Sequence, residues 1–152
     1  MGNISNLAQN LIYMLHFHSG LRYVVLILML LAIVRSIIGW TSKKEFSKGD
    51  HQIGLFLMIF AHVQLLIGLF LYMVKGWLSL PFGEAMADSA QRFWKVEHLF
   101  GMIIAITLIT IGRVRSKKLN EDLRKHKATV IFYTIALVLI LGSIPWQVDR
   151  LF

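Results

Sequence analysis

The chain has 152 residues, of which 57% are hydrophobic and 16% charged, with no cysteine and a formal net charge of +8. That length suits one domain, and that balance is too apolar for a soluble one. The missing cysteines exclude disulfides, thiolate metal sites and covalent c-type haem attachment. The basic residues fall between apolar runs, so they read as topology signals and lipid headgroup contacts rather than as a nucleic-acid surface.

The chain starts with a polar stretch, Met1 to Asn10, that lacks a basic region and a small-residue cleavage site. The first apolar run is therefore expected to be retained rather than cleaved. About 20 apolar residues cross the hydrocarbon core as a helix. Four stretches meet that length, at about 11–40, 53–75, 94–112 and 126–146. The fold expected is an all-α membrane protein, a single four-helix bundle running up-down-up-down. Asp50 before the second span, and Asn120, Glu121 and Asp122 before the fourth, read as helix starts. Pro145 marks the end of the fourth. Trp77, Trp94 and Trp146 are expected at one membrane interface and Trp40 at the other.

The link between spans 1 and 2 carries Arg35, Lys43, Lys44 and Lys48, and the link between spans 3 and 4 carries seven more basic residues from Arg113 to Lys127. Arg22, Lys75, Arg92, Lys95 and Arg150 remain for the other side. The positive-inside rule then puts both basic links in the cytoplasm and both termini outside. The outer link from Lys75 to Phe93 mixes apolar and acidic residues and reads as an interfacial segment.

Ionisable residues within spans mark candidate sites, because they are costly there. At 1.5 Å per residue, His62 falls near the midplane, His98 roughly 7 Å and His18 roughly 10 Å toward the outer face. His51 and His126 fall near the inner interface and read as solvated, with an inner haem between them as a lesser reading. His18 and His98 come from spans 1 and 3 at similar depth, and two imidazoles across a bundle are a usual way to hold a b-type haem. His62 is the alternative ligand, or else a polar contact to Gln64 or Thr110, or part of a quinone or proton path.

Below His98, Gly101, Ala105 and Gly112 share a stripe. They leave room for a flat macrocycle, or else serve close helix packing. Gly54, Ala61 and Gly68 on span 2 read as packing. Arg22 shares a face with His18, and its charge is met by a haem propionate, by Glu97, or by snorkelling to the headgroups. No zinc cluster, metalloprotease, nucleophile-elbow or P-loop motif appears.

The runs HSGLRYVVL, FAHVQLLIGLFLY, RFWKVEHLFGMIIAITLITIGRVRSKK and KHKATVIFYTIALVLILGSIPW together resemble a family of small bacterial four-helix membrane proteins described as cytochrome-b-like. The resemblance covers nearly the whole chain and points to His18, Arg22, His62, Glu97, His98 and His126. The Glu97-His98 step is also similar to a pattern in the halves of haem-A synthase, but its spacing differs and no synthase activity is carried over. The expectation is a haem b electron-transfer subunit of a bacterial inner-membrane redox complex. Its ligands would be drawn from His18, His98 and His62, with Arg22 and Gly101 beside the cofactor, and other membrane subunits and a quinone as partners. The rivals are a cofactor-free accessory subunit and a small transporter around His62.

Overall fold

Backbone groups in lipid have no water to bond, so an apolar chain satisfies them within helices. The computed structural model describes residues 2–146 and shows this outcome, with α1 at Gly2–Thr41, α2 at Lys48–Val74, α3 at Phe82–Ala87, α4 at Ser89–Arg92, α5 at His98–Lys118 and α6 at Asp122–Ser143. Among the described residues there is no strand. Arg150 lies outside them. Four helical stretches are long and apolar enough to cross a membrane: 6–41, 48–74, 89–118 and 122–143. Their outward faces carry large apolar side chains, with Ile27, Leu66 and Val138 each about two-thirds exposed. Such faces suit a lipid solvent and would be a liability in water.

Several boundaries differ from the expectation for physical reasons. α1 begins nine residues before the apolar run, because the polar stretch after Gly2 contains no proline or further glycine to stop it. Its forty residues extend about 60 Å. The cap of α2 is Ser47, not Asp50. Ser47 Oγ accepts from the Asp50 backbone N–H, and the Asp50 carboxylate accepts from the Ser47 N–H at 2.9 Å, a reciprocal capping box. Asp50 also accepts from Arg35 Nε at 2.8 Å, which ties α2 to the end of α1. α6 stops at Ser143, since Pro145 forces Ile144 into extended geometry at ψ 132°.

α1 packs on α2 and α6, and α5 packs on α6 and α2, so α1 and α5 stand across the diagonal. The core between them holds Met29, Leu57, Ile109 and Ala136, all fully buried. The link after α2 turns through Gly76 at φ 77° before the short α3 and α4. Residues 93–97 then form a π turn that runs straight into α5. A π turn inserts one residue and rotates the following face, and such turns recur at functional sites. Here the next residue is His98.

Candidate functional site

Between the four long helices, beneath the link that joins α2 to α5, lies a cavity of about 330 Å³. His18 and Arg22 of α1, Gln64 of α2 and His98 of α5 share its wall. The rest is mainly apolar, down to Val25, Ile106 and Ile109. His18, His98 and Arg22 lie within electrostatic reach of one another. Span 1 and span 3, though diagonal, thus present their histidines to one space.

His98 has a fixed orientation. Its Nδ1 lies 2.7 Å from the Ser143 carbonyl oxygen. A carbonyl only accepts, so Nδ1 carries the proton and Nε2 of the neutral ring keeps its lone pair. That carbonyl is available because Pro145 ends α6 and leaves its last acceptors without intrahelical donors. Trp94 meets the His98 ring edge-on at 5.3 Å and limits its rotation.

His18 is held by α2. Its ring lies against Gly68, where a Cβ would come within 3.1 Å of Cε1. Gln64 Nε2 donates to the His18 carbonyl at 2.8 Å. His18 Nδ1 and Gln64 Oε1 are buried with no hydrogen-bond partner. The α2 small-residue set reads as packing alone in the sequence, yet Gly68 also seats a candidate ligand. Two imidazoles thus border one cavity, and neutral imidazole is a ready donor to a metal ion. Among the described residues no three of His, Asp and Glu gather into a metal-binding cluster.

Arg22 donates to Tyr23 Oη at 3.2 Å. Its guanidinium also lies 4.9 Å from the Tyr23 ring centroid. The rival partner, Glu97, pairs instead with Arg92 Nε at 2.8 Å. The two are five residues apart across the π turn, whereas Arg22 reaches the cavity from the opposite helix. Among the described residues no carboxylate pairs with Arg22.

Gly101 stands elsewhere than expected. A Cβ there would run into Ser143 Oγ and come within 3.1 Å of Ser143 Cβ, and Gly101 is not part of the cavity wall. A Cβ at Gly112 would likewise press on Phe132 and Tyr133. The stripe on span 3 is the seam where α5 meets α6, so it gives helix contact rather than room for a macrocycle.

His62 is exposed on the outward face of α2, and its Nδ1 bonds the Met58 carbonyl one turn back at 2.8 Å. It does not line the cavity, and its bond is to its own helix rather than to Gln64 or Thr110. His16 is exposed as well. At the opposite end, His51 accepts from Arg113 Nη1 at 3.2 Å. His126 departs from the solvated reading: it is 1% exposed, and neither ring nitrogen has a partner. It fits because Gly39 faces it from α1, where any side chain would strike the ring. Phe46 packs against both His51 and His126, at 4.8 Å from each ring. The signal for this burial is present in sequence as Gly39, but only the α1–α6 pairing shows that it opposes His126.

No family model, curated protein or solved structure matches the chain.

Proposed function

We propose that the chain is a b-type haem-binding membrane cytochrome, an electron-transfer subunit of the small cytochrome-b-like four-helix family. One observation carries the reading: His18 and His98, from diagonal helices, line a single cavity, and the His98 Nδ1 proton is committed to the Ser143 carbonyl. An acceptor of that kind behind a ligating imidazole is the usual means of fixing its tautomer and raising its basicity. The cavity of about 330 Å³ lies in the range of small-molecule and cofactor sites.

Haem b, when bound, would supply a one-electron iron couple. The chain supplies the rest. His18 and His98 offer ring nitrogens from opposite walls. The floor of Val25, Ile106 and Ile109 keeps water out. Arg22, with no carboxylate partner among the described residues, offers its guanidinium to a propionate. A cofactor-free accessory subunit would use an Arg22–Glu97 ion pair to fill this space. Glu97 pairs with Arg92 instead, which favours the cofactor.

The proposed protein is sided. Both basic links would face the cytoplasm of a bacterial cell, and the cavity end would face outward. Electrons would then pass between a quinone or an outer donor and a partner subunit. The test is a dithionite-reduced minus oxidised absorption spectrum of protein made with haem supply ensured and purified in mild detergent. A sharp reduced α-band is expected. Absence of any Soret band in folded protein would overturn the reading and leave the accessory subunit in its place.

A further inference from the structure

The charges around the cavity are all of one sign. Besides the two histidines, its ionisable walls among the described residues are Arg22, Lys75 and Tyr72, with no aspartate or glutamate. Lys75 caps the end of α2, its backbone N–H returned to Leu71. Gly76, at φ 77°, then turns the chain back over the cavity mouth. The nearby Lys95 is engaged elsewhere, since its Nζ donates to the Trp77 carbonyl and pins that turn. Among the described residues, Lys75 has no ion-pair partner. Two cations from different helices therefore border one apolar cavity without a protein anion between them. Arg22 is half-buried within α1, where a cation calls for an anionic partner, and Lys75, exposed just past the end of α2, stands at the same opening.

We infer that Lys75 and Arg22 together hold a ligand with two carboxylates on one edge, so that the cavity selects a dicarboxylate porphyrin and orients its anionic edge toward the interfacial segment. This rests on the haem reading, but it makes a separate claim. The histidines would recognise iron, whereas the cations recognise the acid groups. Arg22 gives a planar fork to one carboxylate, and Lys75 gives a point charge to the other. The interfacial position of Lys75 lets its long stem reach inward while water still reaches its head.

The experiment titrates the purified full chain, free of haem and in mild detergent, with four probes: haemin b, its dimethyl ester, metal-free protoporphyrin IX and the metal-free dimethyl ester. Quenching of tryptophan fluorescence reads binding, with Trp77 and Trp94 beside the cavity. The diacids are expected to bind roughly tenfold tighter than the diesters, with or without iron. Lys75→Gln is expected to weaken the diacids about threefold, an exposed pair being modest, and to leave the diesters unchanged. Lys75→Arg should restore the preference. Equal affinity for diacid and diester, or equal loss for both in Lys75→Gln, would overturn the inference. Should haemin bind no better than the metal-free porphyrin, the histidine reading fails, while the acid preference still decides the cationic pair. Binding of no porphyrin at all overturns both.

Discussion

Replacing Gly101 with alanine tests whether the seam between α5 and α6, rather than a macrocycle, sets the residue at this position. The added Cβ would overlap Ser143 Oγ and sit 3.1 Å from Ser143 Cβ. Overpacking of this kind costs about 1–3 kcal/mol. Alanine in a helix interior returns about 1 kcal/mol relative to glycine. Gly101→Ala should therefore lose about 1 kcal/mol net. Ser143→Ala removes the hydroxyl but keeps the carbonyl that receives His98. The double variant should be more stable than Gly101→Ala alone, with a coupling of about 1 kcal/mol. Reversible unfolding in detergent, followed by helical circular dichroism on all four members of the cycle, measures this. Haem content should survive in the double variant. Additive effects, within about 0.5 kcal/mol, would refute the packing argument. Loss of haem in both the single and double variants would place Gly101 beside the cofactor after all.

Asp50→Ala removes the capping box and the Arg35 bond together, and unfolding should register a loss of about 1–3 kcal/mol, with Ser47→Ala nearer 1 kcal/mol; no change in either would mean that the α1–α2 turn is held by other contacts. His126→Leu removes two unpartnered ring nitrogens from a buried site, so it should be neutral or stabilising. A loss above about 2 kcal/mol would reveal a partner for that ring. A cysteine placed at Lys44 should react with an impermeant thiol reagent only from the cytoplasmic side, and labelling from outside would reverse the topology.

The bundle was legible in the sequence because bilayer thickness dictates the length of an apolar helix, and Pro145 marked an end that the structure moves by only a few residues. The pairing of His18 with His98 was suggested by depth alone, and depth follows from counting along each helix. Rotation about the helix axes was not legible. His62 falls nearer the midplane and faces outward, and no charge or cap in an apolar helix fixes which face it presents. Gly101 and Gly68 exchanged roles for the same reason: a small residue marks a close approach without naming what approaches. The burial of His126 required knowing that α1 crosses α6 at Gly39. The acceptor for His98 was hidden because backbone carbonyls leave no trace in sequence, although Pro145 had already set one free.

The most direct test of the central claim is haem stoichiometry by pyridine haemochrome in the wild type and in His18→Ala, His98→Ala, His62→Ala and His51→Ala, each checked for helical content. About one haem per chain is expected in the wild type, His62→Ala and His51→Ala. It should fall to near zero in His18→Ala and His98→Ala, with partial recovery on adding imidazole. Full haem content in both His18→Ala and His98→Ala would contradict the account, as would a loss confined to His62→Ala.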